Sequence, residues 1–299
     1  DIGDCVAAHR ALIKRETQGR DTAMKLDLSA TWDGAMKMLA ANREMVLVLA
    51  GVFFLLPYLA FALFLPDPMA QANAAGAEPD MDAMSARIVA FYGQYWWALL
   101  LMSLIQSVGA IAVLTMLGDG GRPTVGDAVG RGVRLLPTQL AAQILAGLAA
   151  IAPAILLIGI GAASGSPAIA TAVGLLGVPI GFYLIVKFSM SSPVIAIERT
   201  INPIAALRRS WRLTKGNSLR LFAFYVLLLV AFVIVSAILS LIGGLVFALG
   251  GEHIALIGNS IVAGLINAGF ASVAYAVLAS LHKRLAAPSP SVPVTHSED

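Results

Sequence analysis

The sequence predicts an all-α, polytopic membrane protein with six transmembrane helices joined by short interfacial helices on one side. Three observations carry this reading. The chain is 59% hydrophobic and 12% charged, with a mean hydropathy of +0.84, whereas a soluble domain carries about 25% charged residues. Six apolar windows reach the ~20 residues that cross a hydrocarbon core at about 1.5 Å per residue. The charges avoid those windows, and only Lys187, at the edge of the fourth, falls inside one. Because backbone amides in lipid must be satisfied within their own segment, and barrel-type alternation is absent, the spans are helices.

In order, the windows run from Met45 to Leu65, Trp96 to Leu117, Thr138 to Ile160, Ala168 to Phe188, Leu221 to Leu249 and Ile254 to Leu281. Pro57, Pro153 and Pro179 fall inside them, where a missing backbone donor kinks or hinges a helix. Tyr92, Tyr95, Trp96 and Trp97 read as an aromatic anchor at the outer interface. Ser260, Gly264, Ala268 and Ser272 recur every four residues in the sixth window, and Gly177 with Gly181 forms a GxxxG in the fourth. Both patterns permit close helix contact, within one chain or between copies in a homo-oligomer.

Orientation follows from the basic residues, which are retained on the cytoplasmic side of a span. Counting Lys187 at the edge of the fourth window, nineteen of the 20 Lys and Arg residues fall before the first window, between the second and third, between the fourth and fifth, or after the sixth. Arg87 is the exception, in a connection that also holds Asp67, Glu78, Asp80 and Asp82. Both termini are therefore expected to be cytoplasmic. Residues 1–23 are polar, lack a signal-peptide core and precede Met24, so they read as a disordered or non-native extension. The membrane domain is expected over 24–285, followed by a disordered Pro- and Ser-rich tail over 286–299.

The stretch "INPIAALRRSWRLTKGNSLRLF", from Ile201, concentrates positive charge at the entrance to the fifth window. Asn202 can cap a helix, Pro203 suits its first turn, and Gly216 with Asn217 can end it, which predicts a helix over Pro203–Lys215. Ile204, Leu207 and Trp211 form an apolar stripe, with Arg208, Arg212 and Lys215 beside it. On an interfacial helix, Arg208, Arg209, Trp211, Arg212 and Lys215 would meet anionic lipid headgroups, at about 1 kcal/mol per basic residue. The alternative is that these charges only set topology. Nucleic acid is excluded as a partner, because no basic soluble domain presents the helix to a groove.

Two other pre-span segments, starting at Ser29 and Pro123, share this pattern of a capping candidate (Ser29 or Thr31, and Thr124), an amphipathic basic stretch and a following hairpin. The chain thus reads as three repeats of an interfacial helix plus a transmembrane hairpin. Within the spans the polar residues are uncharged: Ser103, Gln106 and Ser107, Gln139 and Gln143, Ser236 and Ser240, Asn259 and Asn267. Such groups hydrogen-bond between helices, or they line a polar cavity, for which Gln106, Gln143 and Asn267 are the first candidates. The histidines are scattered, and there is no HExxH, paired intramembrane carboxylate or P-loop. No catalytic residue, metal site or cofactor is therefore assigned. Glu198 is expected to pair with Arg199 or Arg209 rather than to act in catalysis.

The run "SSPVIAIERTINPIAALRRSWRLTKGNSLRLF", Ser191 to Phe222, resembles the signature of the membrane domain found with bacterial glycerophosphoryl diester phosphodiesterases and with related six-span bacterial proteins. Pro193, Glu198 and the following "ALRRSWRLTKGN" carry the resemblance. It implies a bacterial inner-membrane protein. The catalytic barrel has no counterpart in these residues, so phosphodiesterase activity is not carried over. The expected function is a non-enzymatic, lipid-associated or scaffold-like membrane module, whose partners are membrane lipids and either a second copy or another membrane protein. The alternative is a transporter or permease component.

Overall fold

Proline and glycine punctuation divides the six apolar windows into more helices than spans. The structure, a computed structural model, describes residues 27–65, 81–118 and 123–286. The N-terminal extension and the tail beyond Ala286 lie outside the described residues. Among the described residues, six helical segments are long and apolar enough to cross a membrane: Arg43–Phe64, Asp82–Gly118, Val125–Ala162, Pro167–Ile197, Ser218–Ala248 and His253–Ala286. Among the described residues there is no strand, so the all-α polytopic class holds.

Helix α1 (Leu28–Ala41) starts at Asp27, whose carboxylate accepts from the Ala30 N–H. Neither Ser29 nor Thr31 is the cap. Thr31 is instead fully buried, with its hydroxyl donating to the Asp27 carbonyl. Asn42 separates α1 from the first span, which comprises α2 (Arg43–Ala50), a π turn (Gly51–Leu55) and α3 (Leu56–Phe64). Pro57 accounts for the π turn: its ring cannot donate and crowds the preceding turn, so the ladder widens to Leu56 N–H bonding Gly51 C=O.

The second span, α4 (Met81–Gly118), begins well before Trp96 and takes in Asp82 and Arg87, which the sequence reading left in a connection. Its backbone leaves helical geometry at Tyr95 (φ −110°, ψ 16°), inside the aromatic cluster. Helix α5 (Val125–Ala162) opens with a capping box between Thr124 and Asp127 and runs unbroken past Pro137 and Pro153. The second repeat therefore has no separate interfacial helix; its amphipathic stretch is the first third of a span.

The fourth span is α6 (Pro167–Leu175), α7 (Gly177–Phe188) and α8 (Ser191–Ile197). It is interrupted at Leu176, three residues before Pro179, and again at Ser189–Met190. Helix α9 (Pro203–Thr214) then leads to α10 (Ser218–Ala248) and α11 (Glu252–Ala286).

Burial is uneven. Ile111 to Leu114 of α4, Val194 to Ala196 of α8, and Ala276, Val277 and Leu281 of α11 are all fully buried, joined by Ala35 of α1 and Val46 and Leu49 of α2. These residues lie at the basic end of the bundle. By contrast, α10 buries only Leu221, Phe224 and Gly243, leaving a wide apolar surface of the kind that faces acyl chains.

The small-residue patterns resolve into contacts within the chain. A Cβ on Gly177 would lie 2.5 Å from the Cα of Ala154, and one on Gly181 would lie 2.6 Å from the Ala150 carbonyl oxygen, so the GxxxG seats α7 on α5. A Cβ on Gly264 would lie 2.8 Å from Leu55, where the sixth span meets the first. Ser260 and Ser272 on that same stripe donate to carbonyls of their own helix, four residues back.

Candidate functional site

Helix α9 forms where the sequence places it. The Asn202 carboxamide oxygen accepts from the N–H groups of Ile204 and Ala205, Pro203 occupies the first turn, and Gly216 just past the end takes φ +85°. The buried face is not the Ile204–Leu207–Trp211 stripe, however. It comprises Ala206, Leu207, Ser210, Leu213 and Thr214, while Ile204 is 52% exposed.

Ser210 explains this choice. Its hydroxyl donates to the Lys187 carbonyl at 2.7 Å and accepts the Met190 N–H at 3.1 Å. These two backbone groups belong to the break between α7 and α8, where the regular ladder stops; a small hydroxyl-bearing residue both fits and satisfies them. Helix α9 is thus bonded to the protein on one face and open on the other.

The open face forms a groove of about 1080 Å³ against α5. Leu145 and Ala149 of α5, with Phe188 and Leu207, make its apolar wall; Asn202, Arg208, Trp211 and Arg212 make its polar rim. Arg208 and Arg212 stand one helical turn apart and are exposed. Trp211 leans on Tyr183 (centroids 6.2 Å) and Phe188 (5.8 Å). Lys187, a residue only 3% exposed, places its Nζ 5.2 Å from the centroid of the Trp211 ring and 5.4 Å from that of Tyr183, a cation held over two aromatic faces.

Arg209 faces elsewhere. Its Nε donates to both Glu198 oxygens at 3.1 and 3.2 Å, so the expected pairing with Glu198 forms. A third member joins it: His282 Nε2, in a side chain 6% exposed, lies 2.9 Å from Glu198 Oε1. Glu198 therefore ties α9 to the end of α11. The same end of α11 holds α1, through Ser280 to the Thr31 carbonyl at 2.8 Å and Arg284 to the Ala30 carbonyl at 2.7 Å. Lys215 is exposed and lies outside the groove lining.

The other candidate residues lie apart from this groove. The Ser107 hydroxyl donates to Gln143 Oε1 at 3.4 Å, and Gln139 Nε2 donates to Ser192 at 2.7 Å, the interhelical bonding that uncharged span residues favour. Gln106 and Asn267 are half-buried. None of Gln106, Gln143 and Asn267 lines the groove. Among the described residues, no group of three or more His, Cys, Asp or Glu side chains is placed to hold a metal ion. Sequence reasoning missed His282, Ser210 and the covering of Lys187, although the adjacency of Ser210 to Arg209 and Trp211 marked where to look.

No curated protein and no solved structure matches the chain. From just before α6 to the last turns of α11, residues 166–284 match the family described as the membrane domain of glycerophosphoryl diester phosphodiesterase, which bears out the resemblance carried by Ser191 to Phe222.

Proposed function

We propose that the chain is a non-enzymatic inner-membrane module that binds anionic lipid at the groove between α5 and α9, with its basic end and both termini in the cytoplasm. The groove itself carries the reading: an apolar wall of Leu145, Ala149 and Phe188 continues directly into a rim of Arg208, Trp211 and Arg212. This is the order in which a phospholipid presents its chains and its headgroup. Two exposed guanidiniums one turn apart suit a phosphate, and Trp is at home at headgroup depth. Lys187 adds positive charge behind Trp211.

The test is native mass spectrometry of protein from mild detergent, with lipid added back as defined anionic or zwitterionic species. Retention of an anionic lipid that drops about tenfold or more in Arg208→Gln/Arg212→Gln supports the proposal. Equal retention of both lipid classes, unchanged by the substitutions, reduces the two arginines to a topology signal. The rival reading, a permease component, draws on the interruption of the fourth span at Leu176. Solute flux in proteoliposomes that vanishes on replacing Gln106, Gln143 and Asn267 would carry it.

A further inference from the structure

A second cavity, of about 560 Å³, opens at the start of α5 and shares no lining residue with the groove. Its wall is built from Asp127, Arg131 and Arg134 of α5 and from Arg199 of the turn between α8 and α9. Its floor includes Gly126 and Gly130, one helical turn apart. A Cβ on Gly130 would meet nothing within 4 Å, and one on Gly126 only Thr124 Oγ1 at 3.8 Å. The glycines thus leave room beside the charged ridge instead of serving helix packing.

Two features fix the arrangement. The Asp127 carboxylate is engaged by the Thr124 N–H and hydroxyl in the capping box, which commits much of its negative charge to the helix start. Arg199 is the only non-glycine among the described residues with positive φ, at 55°. The turn that follows is fastened to α5, because the Thr138 hydroxyl donates to the Ile201 carbonyl at 2.7 Å. Among the described residues, the lining carries three arginines and one carboxylate, a formal charge of about +2, and Arg131 attracts Asp127 at i, i+4.

From this convergence of Arg131, Arg134 and Arg199 around a glycine-floored cavity, we infer a binding site for a phosphate group. Planar guanidinium forks approaching from two elements match the tetrahedral oxygens of phosphate, and the bare helix face lets the group sit close to the backbone. The group arrives either on a lipid headgroup or on a soluble phosphate ester, and the chemistry of capture is the same.

The experiment uses the full chain in detergent, with inorganic phosphate as the soluble probe and nanodiscs containing phosphatidic acid, against phosphatidylcholine, as the lipid probe. Potassium chloride at matched ionic strength is the control. Arg131→Gln/Arg134→Gln removes charge, and Gly130→Leu fills the cavity without changing charge at a position with room for the side chain. Phosphate-specific stabilisation that weakens about tenfold or more in both variants identifies a soluble phosphate ester as the source. No response to free phosphate, with the phosphatidic acid retention that remains in Arg208→Gln/Arg212→Gln lost when either set of substitutions is added to it, identifies a headgroup. A response matched by chloride, or one equal in wild type and Gly130→Leu, overturns the site. Arg208→Gln/Arg212→Gln, run in parallel, leaves phosphate binding here unchanged even if the groove fails its own test.

Discussion

His282 and Glu198, 84 residues apart in sequence, approach to 2.9 Å and join the last turns of the sixth span to the turn that precedes α9. Glu198 simultaneously accepts both bonds from Arg209, so one carboxylate holds two helices of the basic end in register. Replacing Glu198 with Gln keeps the shape and removes the charge. Glu198 is 28% and Arg209 36% exposed, so solvent screening brings the loss below the 1.5–3 kcal/mol typical of hydrogen bonds to charged groups, to about 1 kcal/mol. In a double-mutant cycle, Glu198→Gln and His282→Gln should couple by at least about 0.5 kcal/mol in thermal unfolding. Simple additivity would show that the contact is incidental.

The docking of α9 depends on the Ser210 hydroxyl. Ser210→Ala leaves the Lys187 carbonyl and the Met190 N–H without their partner, at a cost of about 1–3 kcal/mol. Faster hydrogen exchange should follow in Met190 to Ile197 and in α9, with the α4 core unaffected. Exchange unchanged at Met190 would mean that other partners satisfy those groups.

At Gly177 and Gly181 the backbone of α5 occupies the space a side chain would need. Alanine at either position forces α5 and α7 apart, destabilising by about 1–3 kcal/mol. Alanine at Gly130, with nothing nearby, should be neutral or stabilising by up to about 1 kcal/mol through lower chain entropy. Equal melting temperatures for the three variants would refute the close-packed hairpin.

The start of α1 should be sensitive to acid. The Asp27 carboxyl is held below its usual 3.8, first by the Ala30 N–H and then by the Ser29 hydroxyl, with a smaller pull from Arg284. Since the folded value is the lower one, the cap is at full strength above 3.8 and is lost as pH falls through the folded value beneath it. Amide protection in α1 should decline below pH 3.8 in wild type and hold in Asp27→Asn, whose carboxamide caps at any pH. Parallel declines in both would exclude Asp27 as the cause.

Spans, the capping of α9 by Asn202 and the Glu198–Arg209 pair were all legible in the sequence, because hydropathy, caps and local charge spacing act over one or two helical turns. The packing face of α9 was not. An apolar stripe of Ile204, Leu207 and Trp211 gives no sign that a break in α7–α8 leaves two backbone groups for Ser210 to satisfy. His282 was hidden for the same reason, since its partner lies 84 residues away. The merger of the middle amphipathic stretch into α5 reflects cohesion of the helix ladder across Pro137, a position where sequence argues for interruption. The Arg131, Arg134 and Arg199 cluster was counted as topology, since only folding brings the last of the three beside the first two.

Lys187 lends the groove a property that arginines on the rim cannot. Mobile ions screen exposed charges over a Debye length of about 8 Å at physiological ionic strength, and far less effectively when the charge is enclosed. With its ammonium shut beneath Trp211 and Tyr183, Lys187 is a charge that dissolved salt does not readily reach. Lipid retention should therefore fall with added salt to a plateau rather than to zero, and Lys187→Met should remove the plateau. That residual attraction would hold a lipid at the proposed site through rises in ionic strength that release lipids bound by exposed charges alone.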